Sequence, residues 1–208
     1  MRLPPWMALI AAFAAAALSG CAIYPGTARP ADLGELRQEE GWILLDGVPV
    51  VRQASQKGCG AACLAMVLGR WGVRARTEEL ERECAGPAAD GILASDLREA
   101  ARRRGLAAFL FAGTVADLEH ELRRGRPVIV GVAKPDGGQY TAHFEVVVGL
   151  HPGSGRVAAL DPGIGPTCDS VAGFEAEWAR TKGVTLVVFR PEAPVASTGR
   201  VGIQGGAR

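Results

Sequence analysis

The chain has 208 residues, of which 48% are apolar and 22% charged, and its formal net charge is +1. This length and apolar content suffice for one hydrophobic core. Arg2 lies in a predicted targeting segment, and its removal leaves 22 basic against 22 acidic residues. A nearly neutral chain lacks the basic surplus of a nucleic-acid-binding protein, so no nucleic-acid partner is predicted.

Residues 1–20 have the features of an export signal. Arg2 supplies a positive charge, and an alanine-rich apolar run of 13 residues follows from Trp6 to Leu18. That run is shorter than the ~20 residues of a membrane-spanning helix and is typical of a secretory signal peptide.

The sequence Leu18-Ser19-Gly20-Cys21 resembles the lipobox of bacterial lipoproteins. The resemblance implies cleavage before Cys21, lipidation of its thiol, and attachment to a membrane facing the periplasm or the cell exterior. In a Gram-negative host, Ala22 favours the outer membrane. The alternative is an ordinary signal peptide with an incidental cysteine.

The mature chain is predicted to have three parts. Residues 21–40 contain proline, glycine and charged residues without a sustained period, which is typical of a tether. Residues 41–190 are predicted to form the folded domain. Residues 191–208 have few large apolar side chains and are predicted to be disordered.

A buried helix is predicted to begin at Cys59. Residues 61–68 are apolar on nearly every face, as in a helix inside a core, and glycines at 69 and 72 mark its end. Unpaired backbone N–H groups and the positive end of the helix dipole stabilise a thiolate in the first turn. Gln53 can fold back beside the sulfur and donate its amide in an oxyanion hole.

The other elements follow from periodicity and capping residues. A short extended lead-in is expected over 42–51. Further helices are predicted from Thr77 as N-cap, from Ser95 to Arg104, over 115–124 after a Thr114 cap, and over 171–180. Strands are predicted over 107–112, 127–132, 143–148, 156–161 and 184–189. Helices first and an antiparallel sheet second predict an α+β fold.

The five cysteines have different expected states. Export permits disulfides, but Cys63, Cys84 and Cys168 leave the pairing open. Cys59 and Cys63 lie four residues apart and could bind a metal or oxidise together. Without a second ligand pair this is weak evidence, so no metal or cofactor is predicted, and Cys63 is interpreted as a buried apolar residue.

Only one of the three histidines has a setting suited to catalysis. His120 lies in a charged helix and His151 in a Pro-Gly-Ser-Gly turn, so both are expected to be solvated. His143 is expected to open a strand after the glycine-containing loop over 136–142.

His143 and Asp161 are predicted to meet across a hairpin. A three-residue loop between strands 143–150 and 156–161 sets the two residues directly opposite, and a five-residue loop offsets them by two. Both loops leave the two side chains on one face of the sheet, ~5 to 8 Å apart at Cβ. Pro162-Gly163 ends the strand, so the carboxylate is expected at the rim of the sheet.

Each residue also has a structural interpretation: a cysteine before an apolar helix is common in cores, and Asp-Pro-Gly is a common turn. Together they match the needs of a thiol enzyme. Cys59 is predicted to be the nucleophile, His143 the base, Asp161 the residue that orients the base, and Gln53 the oxyanion donor.

These residues resemble the C39 peptidases, the papain-like family that processes bacteriocin leaders ending in two glycines. The likeness runs from about Val48 to Phe189, through Q-x5-C-G-x-A-C-L-A-M, H-F-E-V-V-V, L-D-P-G and F-x3-W. It implies a two-lobe fold in which a helical lobe with a central buried helix precedes an antiparallel sheet, with Phe174 and Trp178 beneath the sheet. It also implies the same four catalytic assignments.

The chain departs from that family in two respects. Family members fused to transporters commonly carry an acid just before the cysteine, where this chain has Gly58. No G-x4-G-K-[ST] nucleotide-binding loop and no membrane-spanning bundle occur in the sequence, so ATP is not a predicted partner.

The sequence therefore predicts a lipid-anchored, extracytoplasmic cysteine peptidase that cleaves peptide or protein substrates through a thioester. Two alternatives stay open. A papain-like acyl or amide transferase uses the same thioester with an amine in place of water. A non-catalytic lipoprotein keeps the cleft and binds peptides without reacting.

Overall fold

The computed structural model describes residues 26–86 and 91–191. The predicted signal peptide, Cys21 and the predicted disordered tail beyond residue 191 lie outside the described residues. Within the described ranges, every helix is too short or too polar to serve as a membrane span.

The described residues form six helices and eight strands. The helices are α1 Leu33–Gln38, α2 Cys59–Arg70, α3 Thr77–Cys84, α4 Ala94–Arg103, α5 Val115–Arg123 and α6 Val171–Ala179. The strands are β1 Arg29–Pro30, β2 Ile43–Leu44, β3 Ala107–Ala112, β4 Val128–Asp136, β5 Gln139–His151, β6 Arg156–Asp161, β7 Gly165–Ser170 and β8 Val184–Phe189.

All eight strands belong to one antiparallel sheet. The order is β1-β7-β6-β5-β4-β8-β3, and β2 pairs with β5 beyond the end of β4. Four helices precede β3 and two are inserted between later strands, so the predicted α+β class with an antiparallel sheet is confirmed.

Helix α2 is the centre of the larger core cluster. Its residues 60–68 are all buried, because a helix that is apolar all round has no face suited to solvent. Helices α3 and α4 and one set of alternate strand residues, including Ile129 and Val146, pack around it. Burial of this kind contributes ~25 cal/mol per Å² of apolar surface and holds α2 in place against β5.

A second core cluster holds helices α5 and α6 against the other set of alternate strand residues. Val128, Val130 and Val147 belong to it. Phe174 and Trp178 of α6 are each 3% exposed in this cluster, as expected from their predicted place beneath the sheet.

The segment interpreted as a tether is partly structured. Strand β1 pairs with β7 and forms one edge of the sheet, and α1 lies between β1 and β2 in the chain. Asp32 caps α1 by accepting a hydrogen bond from the N–H of Gly34 at 2.7 Å. A two-residue strand and a six-residue helix leave no period in the sequence long enough to recognise.

Three local expectations differ from the structure. Strands β4 and β5 form one long hairpin instead of flanking a loop, because Gly137 and Gly138 both adopt positive φ and make a two-residue turn. Helix α3 takes Arg76 as its N-cap, so Thr77 is its first residue. Strand β7 was not predicted, since its sequence GPTCDS lacks the apolar alternation of a strand.

Candidate active site

Cys59 is the first residue of α2, as the sequence predicts. The helix has no acidic residue in its own first turn and no side-chain cap. The Gly58 N–H donates to the carbonyl of Ser55 at 3.1 Å and fixes the turn that leads into the helix. The thiol is half-buried and lines a cleft.

The other three thiols in the described part of the chain are free but less suited to attack. Burial raises the pKa of Cys63 well above its usual value, and nearby negative charge adds to this effect. Burial also raises the pKa of Cys84 to about 11 and raises that of Cys168. These thiols stay protonated at neutral pH, which leaves Cys59 as the candidate nucleophile.

The hairpin between β5 and β6 has neither of the predicted loop lengths. His151 pairs with Arg156 across a four-residue loop, and that register alone turns His143 and Asp161 to opposite faces. A β-bulge between Val147 and Gly149 adds one residue to β5 and shifts the register by one. The bulge returns both side chains to the same face.

His143 and Asp161 are consequently in contact and both buried. Nε2 of His143 lies 3.1 Å from Oδ2 of Asp161, at an angle outside that of a well-aligned hydrogen bond. Oδ1 of Asp161 accepts backbone N–H groups from Gly163 at 2.6 Å and Ile164 at 3.3 Å. The turn after β6 thus fixes the carboxylate, and the carboxylate faces the imidazole.

The electrostatics of this pair favour the charged forms. Burial by itself lowers the pKa of His143, but contact with Asp161 and Cys59 outweighs it and raises the pKa to about 10. Burial raises the pKa of Asp161, yet His143, the N–H of Gly163 and Lys134 bring it below its usual value. An imidazolium beside a thiol can stabilise a thiolate, which is the chemistry of a thiol nucleophile.

Gln53 lies beside the turn that follows Asp161. Its backbone N–H donates to the carbonyl of Pro162 at 3.0 Å, and Arg52 donates to the carbonyl of Gly163 at 2.5 Å. The side-chain Oε1 of Gln53 is buried and has no hydrogen-bond partner among the described residues. The structure therefore joins the segment before Cys59 to the Asp161 turn, and the oxyanion role of Gln53 stays a prediction.

A carboxylate lies beside the glycine at position 58. A Cβ at this position would overlap the carboxyl group of Glu81 from α3. Ser55 donates to the other oxygen of that group at 3.3 Å. An acid therefore lies beside the start of α2, but it comes from another helix, and a side chain at position 58 would require the end of the Glu81 side chain to move.

The cleft beside Cys59 and His143 has a volume of about 530 Å³ and is open to solvent. Its walls are mainly apolar or small, with polar groups at Gln56, Lys57, Thr141 and Thr181. The remaining lining residues are Gly91, Ile92, Leu93, Ala94, Gly131, Val132, Ala142, Phe144 and Val184. A trough of this size that exposes a thiol suits an extended peptide.

Sequence reasoning missed a buried charged cluster behind the His143–Asp161 pair. Lys134 of β4 is 1% exposed and contacts the carboxylate of Glu145 on β5. Its Nζ lies 3.6 Å from Oε2 of Glu177 on α6 and 3.9 Å from Oδ2 of Asp161. The signal was present, because Glu145 lies two residues from His143 on the same face, but the strand was predicted to end at residue 132, two residues before Lys134.

The same cluster contains donors that could coordinate a cation. The ligand atoms of His143, Glu145 and Asp161 lie within 4.8 Å of one another, and all three residues are buried. The ammonium group of Lys134 already supplies positive charge against Glu145. The arrangement therefore fits an internal ion network better than a metal centre.

The sequence and the fold are both similar to known peptidases. The sequence model described as the Peptidase C39 family matches residues 47–193. Comparison with curated proteins finds no match to this chain.

Three solved structures are similar over most of their own length. The peptidase domain of Streptococcus ComA, a bi-functional ABC transporter involved in quorum sensing, is 26% identical with a TM-score of 0.57, covering 70% of this chain and 99% of that domain. A double glycine motif protease from an AMS/PCAT transporter, in complex with its leader peptide, is 25% identical with a TM-score of 0.55, covering 69% and 92%. A C39-like peptidase from Bacillus anthracis is 16% identical with a TM-score of 0.60, covering 73% and 99%, and shows the fold alone. The predicted papain-like two-lobe fold is confirmed.

The burial of the thiols predicts selective alkylation. Iodoacetamide at pH 6 should modify Cys59 first, because an inert thiol is protonated at that pH and buried sulfur is inaccessible. Mass spectrometry of the digested protein measures the modified fraction at each cysteine. Modification of Cys63 or Cys84 at the rate of Cys59 would contradict the assignment, and denatured protein, in which all sites react alike, is the control.

Proposed function

The chain belongs to the Peptidase C39 family, and we propose that it is a lipid-anchored cysteine peptidase that acts outside the cytoplasm. The family and the fold support cysteine-peptidase chemistry. The single observation that carries the catalytic proposal is the 3.1 Å contact between His143 and Asp161 beside a thiol at the start of α2. Nucleophile, base and orienting group are the three parts that such chemistry needs.

In the proposed mechanism, Cys59 attacks the carbonyl carbon of a peptide bond. His143 holds the thiol proton as imidazolium, and the new C–S bond converts the carbonyl oxygen into an oxyanion. The backbone N–H of Cys59 and the amide of Gln53 donate to that oxygen. His143 then protonates the leaving amine, and the C–N bond breaks to give a thioester.

Hydrolysis of the thioester completes the cycle. His143 is now neutral and takes a proton from water, whose oxygen attacks the thioester carbonyl. The C–S bond breaks, the carboxylic acid leaves and the thiol is restored. Asp161 keeps the imidazole oriented in both halves of the reaction, because its own carboxylate is fixed by the turn after β6.

The proposed substrate is a peptide or an unstructured segment of a protein. The cleft has a volume of about 530 Å³, and the small residues Gly131 and Ala142 in its wall allow close approach of a backbone. One similar protease is described in complex with a leader peptide. For this chain we propose the wider class of extended peptides as substrates. Membrane attachment through Cys21 would restrict cleavage to peptides that reach the membrane surface.

Replacing the proposed nucleophile should abolish hydrolysis. Among the described residues that line the cleft, Cys59 carries the only sulfur. We therefore expect no cleavage above background by Cys59→Ala when the full chain is incubated with a peptide library analysed by mass spectrometry. Cys63→Ala, four residues along the same helix, is the matched control and should retain activity. Residual cleavage by Cys59→Ala would exclude this mechanism.

Gln53→Ala should leave a folded but weakly active enzyme. Loss of one oxyanion donor costs a factor of ~10²–10³ in rate, because the developing charge loses a preorganised hydrogen bond. The measurement is the rate of cleavage of the best library peptide, with the melting temperature as a check on folding. Gln38→Ala on exposed α1 is the control, and a loss under tenfold would remove Gln53 from the oxyanion site.

The proposed anchor depends on one thiol. Cys21→Ser removes the acceptor for lipid, so the protein should move from the membrane fraction to the soluble extracytoplasmic fraction when cells are separated by centrifugation. Cys168→Ser is the matched control and should stay with membranes. A wild-type protein found in the soluble fraction would contradict lipid attachment.

A further inference from the structure

The buried ammonium group of Lys134 is the least expected feature of the candidate site. A charged amine is stable inside a protein only when it is paired, because desolvation costs several kcal/mol per ion. Lys134 is 1% exposed and faces three carboxylates, from Glu145, Glu177 and Asp161. Its ammonium group contacts Glu145 and lies further from the carboxylates of Glu177 and Asp161.

One oxygen atom of Asp161 lies between two cations. Oδ1 is occupied by the N–H groups of Gly163 and Ile164, so only Oδ2 is available to other groups. Nε2 of His143 lies 3.1 Å from Oδ2, and Nζ of Lys134 lies 3.9 Å from the same atom. A charge-assisted contact is ~2.8 Å long, so Nζ is roughly 1 Å short of forming a direct ion pair with Oδ2.

We propose that Glu145, assisted by Glu177, holds the ammonium group of Lys134 away from Oδ2 of Asp161 and so reserves that oxygen for His143. Lys134 and Glu145 are then positioning residues, since both are buried behind the imidazole and neither lines the cleft. The inference rests on the proposed roles of Cys59, His143 and Asp161.

The charged groups around the imidazole determine whether each substitution raises or lowers the pKa of His143. His143 faces Cys59 from α2, Asp161 from β6 and Glu145 beside it on β5, while Lys134 from β4 and Glu177 from α6 lie behind these carboxylates. Glu145→Gln removes a negative charge near the imidazolium and releases Lys134 toward Asp161, and both effects favour loss of the imidazolium proton. Lys134→Met removes a positive charge and has the opposite effect.

The test is the pH dependence of Cys59 alkylation by iodoacetamide in the full chain, with the modified site identified by mass spectrometry. At high pH the rate rises in an upper step, which marks loss of the imidazolium proton from His143. The upper step in the wild type is expected near the His143 pKa of about 10. We expect it to move down by about one pH unit in Glu145→Gln and up by a similar amount in Lys134→Met.

Two controls separate positioning from general damage. Glu145→Asp keeps the charge and should move the upper step less than Glu145→Gln does. Glu121→Gln makes the same chemical change in a half-buried ion pair with Arg126, 3.1 Å long and outside the cleft, and should not move the step. The melting temperature of each variant shows whether it is folded.

An ion pair that stabilises the fold but has no electrostatic influence on the imidazole predicts a different result. Both substitutions would then lower the melting temperature and leave the upper step in place, or move it in the same direction, and either outcome overturns the proposal. If one variant does not fold, the direction of shift in the other is decisive alone. Shifts of opposite sign in a protein that cleaves no peptide would refute the proposed peptidase activity and leave this inference standing.

Discussion

The contact between His143 and Asp161 depends on the register of one pair of strands. Side chains alternate between the two faces of a sheet, so a shift of one residue between β5 and β6 separates the imidazole from the carboxylate completely. The four-residue loop of this hairpin sets the wrong register, and the bulge at Val148 corrects it before the strands reach the site. A feature about 15 Å or more away along β5, at ~3.3 Å per residue, thus decides whether the site exists.

Helix α2 contributes the other half of the site because its whole surface is apolar. Such a helix is anchored by the core on every side, so its first residue has a fixed position, although that residue itself faces a cleft. The segment before it is tied to the carbonyl groups of Pro162 and Gly163 in the turn that orients Asp161. The approach to Cys59 and the carboxylate therefore share one set of hydrogen bonds, which couples the two lobes where they meet.

Sequence reasoning recovered the elements that have a local signal. The strands over 107–112, 156–161 and 184–189 have the predicted bounds, and α2 begins at Cys59, because apolar periodicity and glycine stops are readable in short windows. The bulge at Val148 has no local signal. Lys134 was missed because Gly137-Gly138 was interpreted as the middle of a loop, so the strand that carries the lysine to Glu145 was ended too early.

The N-terminal segment connects the proposed anchor to the same buried cluster. Thr27 donates its N–H to Oε1 of Glu177 at 2.7 Å, and the other oxygen of that carboxylate faces Lys134. Glu177 is thus shared between Thr27 and the charges behind Asp161. Four residues, 22–25, separate Cys21 from Gly26. At ~3.6 Å per residue they span at most ~18 Å, so a lipid on Cys21 would hold the domain close to the membrane surface, unlike a flexible tether of twenty residues.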